Sequence, residues 1–244
     1  MSKPQALIFD VFGTVVDWRS GVAAEAGRFL AGKGIDLDPF AFADAWRGEY
    51  QPTMERVRSG GRGYVALDIL HRENLDLVLE RFGLSGLFSD EEKAEFNRAW
   101  EKLPPWPDSA PGLTRLKQDF LIAPCSNGSL ALMARLAKFG SLPWDAILGA
   151  DIARNYKPQP EVYLASCQAL QLAPREVMMV AAHPSDLDAA KACGLQTAFV
   201  PRPLEYGSSH GSDTQGEHHV GMNRREEWDA AAGTIEILAE ILMT

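Results

Sequence analysis

Cysteine is scarce and scattered. The chain has three in 244 residues, Cys125, Cys167 and Cys193, and no CxxC pair. That excludes a disulfide framework and a zinc site of the usual spacing, and an odd count inside apolar or helical stretches fits a reducing compartment. Long apolar runs are missing too. No stretch approaches the ~20 apolar residues that a membrane span needs. The first residues, MSKPQALIFDVFG, carry one lysine and too short an apolar run for a signal peptide. Basic charge is in short supply: 24 Lys and Arg against 33 Asp and Glu give a net charge of −9. Neither nucleic acid nor an anionic membrane is therefore expected as a partner. Together these absences predict a cytoplasmic chain. The remaining composition, 46% hydrophobic and 23% charged, is that of an ordinary globular protein, long enough for an α/β core and one smaller inserted domain.

What is present is alternation. The run Ala6-Leu7-Ile8-Phe9-Asp10-Val11 suits a strand buried on both faces of a parallel sheet. Further strands are expected at 120–123, 177–182 and 197–200, with a short apolar run at 146–148, and helices at 129–139 and 184–193. Strands alternating with helices predict right-handed crossovers and an α/β fold, a Rossmann-like doubly wound parallel sheet. Between Arg19 and Leu103 the pattern changes. Apolar residues recur at helical spacing, as in Phe42, Trp46 and Tyr50 or Leu67, Leu70 and Leu77, which predicts an inserted helical cap. Pro104, Pro105, Pro107 and Pro111 mark the return. The expected division is 1–18 and 104–244 for the core and 19–103 for the cap. The stretch 206–223, rich in Gly, Ser and His, is expected to be a surface loop, and a last amphipathic helix is expected over 229–241.

In open α/β sheets, ligands bind beyond the carboxyl ends of the strands. Three such ends carry reactive groups: Asp10, the pair Ser126 and Asn127, and His183 with Asp186. Each has an ordinary reading as well. Asp10 is either a turn-forming residue or a carboxylate aimed out of the sheet edge, able to act as a covalent nucleophile. Lys157, in Tyr156-Lys157-Pro158, is either a solvated lysine or the cation that keeps Asp10 ionised. Ser126-Asn127-Gly128 is a good turn and equally a cradle for an anion. His183 is either a helix-start residue or a base of suitable pKa. His71 reads as structural or surface, and His210, His218 and His219 as solvated loop residues. Trp18 and Arg19 read as either site entrance or cap packing.

Taken in order, Asp10-Val11-Phe12-Gly13-Thr14, Cys125-Ser126-Asn127-Gly128, Tyr156-Lys157-Pro158 and the Asp186 region resemble the motifs of the haloacid dehalogenase superfamily across essentially the whole chain. Trp46-Arg47, Tyr50 and Leu67-Asp68-Ile69-Leu70-His71-Arg72 resemble its type II, L-2-haloacid dehalogenase branch. Phosphatases of the superfamily have a second Asp two places after the nucleophile and bind Mg²⁺. Here that place is Phe12, which cannot transfer a proton. Asp186 and Asp188 are left as candidate ligands, so the resemblance favours an enzyme with no metal or cofactor.

The resemblance implies that Asp10 displaces halide from C2 of a small 2-haloacid, leaving an ester. Arg47 would receive the halide, with Asn127, Val11 and Phe12 around it, and Ser126 would bind the substrate carboxylate. Thr14 and Lys157 would position Asp10, Tyr163 would line the pocket, and Asp186 would direct water onto the ester. A homodimer is also implied. One departure stands out. Where many dehalogenases have Ser-Ser-Asn, this chain has Ala181-Ala182-His183, so His183 is expected to replace the asparagine and act as base. A Mg²⁺-dependent phosphatase and a catalytically silent anion- or partner-binding protein remain the alternatives.

Overall fold

The computed structural model describes residues 3–207 and 224–244. Its centre is β1 (Ala6–Phe9), four apolar residues with no solvent exposure. β1 pairs in parallel with β2 (Leu121–Ser126) on one side and β4 (Val177–Ala181) on the other. β3 (Leu148–Gly149), β5 (Gln196–Phe199) and β6 (Ala230–Ala231) complete a six-stranded sheet of order β3-β2-β1-β4-β5-β6. All five pairings are parallel. The chain thus winds outward in both directions from β1, as the alternating pattern predicts.

Register decides what reaches the sheet edge. Phe9 is opposite Pro124 and Val180, so Asp10, Cys125-Ser126 and Ala181 to His183 emerge together. Asp10 N–H still donates to Val180 O (3.0 Å), which fixes the direction in which its side chain leaves the strand. A helix follows each of the neighbouring strands β2 and β4. Ser129 accepts from Leu132 N at the start of α7 (Leu130–Gly140), and His183 is the residue before Pro184, which opens the helix Pro184–Ala192.

Helices fill the stretch between β1 and β2: α1 (Trp18–Gly32), α2 (Pro39–Gly48), α3 (Tyr50–Arg58), α4 (Leu67–Arg81), α5 (Asp90–Asn97) and α6 (Ser109–Leu116). Phe42, Trp46 and Tyr50 share a buried face, although the helix breaks at Glu49 between the last two. On α4 the pattern is only partly followed: Leu67 and Leu70 are buried, Leu77 is half exposed, and Leu75 and Leu79 do the packing instead. The aromatics stack into a cluster: Phe42 on Phe96 (5.3 Å), Trp46 against Trp100 (5.6 Å), and His71 on Trp100 (4.1 Å).

Some boundaries differ from expectation. β2 runs to Ser126 rather than ending at Ala123, since the buried Pro124 and Cys125 continue the parallel ladder. The last helix is Ile235–Leu242, starting where Thr234 accepts from Ile237 N. The residues before it supply β6, which two alanines gave no sign of. The expected loop 206–223 lies outside the described residues except for Tyr206 and Gly207, and His210, His218 and His219 fall outside them too. Among the described residues no helix is long and apolar enough to cross a membrane.

Candidate active site

A cavity of about 110 Å³ opens over the strand ends, lined by Asp10, Phe12, Asn127, Lys157, His183 and Asp186 together with Arg47, Tyr50 and Gln51 from the helices after β1. Asp10 is at the centre. Its Oδ1 accepts from Lys157 Nζ (2.9 Å), and its Oδ2 accepts from Thr14 Oγ (2.7 Å) and lies 3.2 Å from His183 Nδ1. Thr14 is itself held, accepting from Ala182 N–H (2.9 Å).

Burial works against the Asp10 carboxylate, but the Lys157 charge and the His183 contact outweigh it and hold Asp10 well below the usual carboxylate range. Asp186 goes the other way. Burial raises it, Asp10 repels it, and its bonds to Lys157 and to Tyr163 (2.5 Å) only partly compensate. Two carboxylates that share one lysine are thereby driven apart, one a firm anion and the other a weaker acid. Lys157 keeps its proton: burial disfavours the ammonium, yet Asp10 and Asp186 raise it above an ordinary lysine. Its backbone is pinned as well, its N–H donating to Asn127 Oδ1 (2.8 Å) and its carbonyl accepting from Arg58 (2.8 Å).

His183 lies between two carboxylates. Burial disfavours its charge, but Glu205 and Asp10 raise it well above the ordinary histidine value. In the resting protein it is therefore an imidazolium, which has no lone pair to accept a proton. Arg47 faces the cavity with its guanidinium carbon 3.9 Å from the Tyr50 ring centre and 6.0 Å from that of Phe12, and its Nη1 is buried with no hydrogen-bond partner among the described residues.

Seven expected residues therefore line one cavity: Asp10, Phe12, Arg47, Asn127, Lys157, His183 and Asp186. Thr14 and Tyr163 lie behind it and donate hydrogen bonds to Asp10 and Asp186. Val11 and Ser126 are placed elsewhere. The Val11 side chain is fully buried in the core, and Ser126 is buried with its Oγ accepting from Gly128 N–H (3.0 Å). Tyr50 lines the cavity, whereas Trp46 is core, its Nε1 donating to His71 O (2.9 Å). Glu205 has no sequence signal of its own. Its only trace is Gly13, where a Cβ would come within 2.2 Å of the Glu205 carboxylate.

A divalent cation fits these residues poorly. The Lys157 ammonium already bridges Asp10 and Asp186, Asp188 is paired with Arg224 (2.7 Å), and Phe12 offers no oxygen.

Residues 4–194 match the family model described as haloacid dehalogenase-like hydrolase. The chain is 30% identical to (S)-2-haloacid dehalogenase 1 of Pseudomonas sp. (strain CBS-3) over 212 residues, covering 84% of this chain and 89% of that one. Among solved structures it superposes on the defluorinating L-2-haloacid dehalogenase Rha0230 with a TM-score of 0.91 at 46% identity, covering 99% and 96% of the two chains. It superposes on the L-2-haloacid dehalogenase PA0810 with a TM-score of 0.89 at 41% identity, covering 98% and 99%. The chain belongs to the haloacid dehalogenase-like hydrolases.

Proposed function

We propose that this protein hydrolyses the carbon–halogen bond of short 2-halocarboxylic acids. The observation that carries the reading is a buried Asp10 paired with the Lys157 ammonium, in the same cavity as a guanidinium whose Nη1 has no partner among the described residues. The carboxylate attacks C2, and the carbon–halogen bond breaks with its electron pair leaving on the halide, which Arg47 receives. Phe12 stands where a phosphatase would need a proton donor, and the named relatives act on haloacids. The turn carrying Ser126 and Asn127 takes the substrate carboxylate. Water activated at His183 and Asp186 then cleaves the Asp10 ester, releasing a 2-hydroxy acid.

Residues 19–103 form the cap in this reading, closing the cavity so that Asp10 rather than water meets C2 first. Asp17 N–H donates to Pro104 O (2.9 Å), which ties the two chain crossings together at that boundary. The enzyme acts in the cytoplasm as a homodimer.

The test is halide release from fluoro-, chloro- and bromoacetate and both 2-chloropropionate enantiomers, with and without EDTA. The wild type releases halide regardless of EDTA, with the (S) enantiomer preferred, and Asp10→Asn loses at least ~10³-fold. Comparable release by the Asn variant, or turnover of p-nitrophenyl phosphate that EDTA abolishes, overturns the reading.

A further inference from the structure

The reaction just described leaves one buried carboxylate of the site without a role. Glu205 follows β5 and is 4% exposed. Its Oε2 lies 2.9 Å and its Oε1 3.2 Å from His183 Nε2, and Oε1 also accepts from Trp18 Nε1 (3.0 Å). The segment is fastened down. Glu205 N–H donates to Arg202 O (3.1 Å), while the Arg202 guanidinium holds Asp108 (2.7 and 2.9 Å) and donates to Thr14 O (2.8 Å) in the loop that follows the nucleophile. The space is provided by Gly13, at φ +91°, where any side chain would collide with the Glu205 carboxylate. A buried carboxylate is costly unless it is paired, and this one is paired to the far nitrogen of the histidine whose near nitrogen faces Asp10.

We propose that Glu205 is the positioning residue for ester hydrolysis: it holds the Nε2–H of His183, so that Nδ1 is the nitrogen left to take the proton of water. The proposal rests on the dehalogenase reading. The groups facing His183 are Asp10 from the end of β1, Glu205 from beyond β5, Asp186 on its own helix, and the cations Lys157 and Arg47 of the shared cavity. While Asp10 is an anion, both ring nitrogens carry protons and His183 cannot act as a base. Esterification removes that anion, and the Nδ1 proton passes to solvent. The Nε2 proton stays, because Glu205 remains opposite it. Water then adds to the Asp10 carbonyl carbon as its proton goes to Nδ1. The bond to the product oxygen breaks, and the alkoxide takes that proton and leaves as the 2-hydroxy acid. The carboxylic acid so formed returns its own proton to Nδ1, restoring the resting pair. The base therefore exists only while there is an ester to cleave.

The experiment is rapid-quench halide release and intact-protein mass spectrometry on wild type, Glu205→Gln and Trp18→Phe with (S)-2-chloropropionate. In Glu205→Gln the first-turnover halide burst stays within ~3-fold of wild type, steady-state turnover falls ~10²-fold, and the chain accumulates heavier by the acid residue. Trp18→Phe gives the same signature more weakly and decides the matter if the Gln variant does not fold. Loss of the burst together with turnover, or unchanged turnover with no ester accumulating, overturns the role of Glu205. Absence of halide release from the wild type itself is a failure of the dehalogenase reading, and the proposal falls with it.

Discussion

The Arg47 guanidinium carbon lies over Tyr50, 3.9 Å from its ring centre, and 5.1 Å from that of Trp18. Aromatic faces stabilise a cation without consuming its hydrogens, so Arg47 is half-buried among rings and its Nη1, which has no hydrogen-bond partner among the described residues, is left to donate. Lysine cannot reproduce a planar group in that slot. Arg47→Lys is expected to lower halide release by ~10²-fold and to weaken inhibition by added halide, measured by chloride titration of steady-state rates.

Lys157 is the largest influence holding the Asp10 carboxylate down. Removing it leaves the burial penalty unopposed, and the carboxyl then protonates at higher pH. In Lys157→Gln the acid limb of the kcat/KM profile moves toward neutrality, with at least ~10-fold less activity than wild type at pH 5 beyond any loss at pH 8. An unmoved acid limb would show that Lys157 does not set the charge of Asp10.

His183 has the opposite linkage. Its pKa in the folded protein is raised by Glu205 and Asp10, so its contribution to stability is complete below about pH 6.5, the ordinary histidine value. That contribution is lost as pH rises through the raised value. The Tm difference between wild type and His183→Asn is therefore largest near pH 6 and narrows toward pH 9. A gap that widens with pH contradicts the charged imidazole.

Much of this was legible from the chain. The central strand, the doubly wound sheet and the cavity residues Asp10, Lys157, His183 and Asp186 follow from apolar runs that end in reactive groups, because a parallel sheet delivers strand ends to one edge. The resemblance implies a place for Val11 beside the halide. A strand alternates its faces, however, and the side chain next to Asp10 goes to the core. Glu205 was illegible for another reason. It reaches the site from a segment without periodicity, and what brings it there is the Arg202–Asp108 pair, a contact between residues 94 apart in sequence. His71 lay in a helical pattern, yet only packing shows that it is buried in an aromatic cluster rather than on the surface.

Both His71 nitrogens are buried with no hydrogen-bond partner among the described residues. Burial, and then the nearby Arg47 charge, push its pKa well below the ordinary value, so it is a neutral ring. Replacing a polar ring that has no partners by an apolar one of similar shape removes a desolvation penalty. His71→Phe is expected to stabilise the fold by about 1 kcal/mol in chemical denaturation, while His71→Ala, which leaves a hole beside Trp100, costs about 2–4 kcal/mol.

Gly13 permits two things at once, a backbone at φ +91° and the approach of Glu205. Gly13→Ala is expected to cost about 1–3 kcal/mol from strain and to push Glu205 off His183. Its product profile should then resemble that of Glu205→Gln, with ester accumulating on the chain. A destabilised variant that turns over without accumulation would separate the two effects.

Trp18 opens the first helix after the nucleophile loop, yet its indole touches both ends of the reaction: the N–H bonds Glu205 and the ring lies under Arg47. Loss of the aromatic ring at this one position would disturb the halide's cation and the base's partner together, whereas Trp18→Phe keeps a ring under Arg47 and gives up only the bond to Glu205. Positions 18, 47 and 205 therefore form one contact unit that spans both steps of the proposed reaction. Relatives that keep histidine at the place of His183 should exchange the three as a set or not at all.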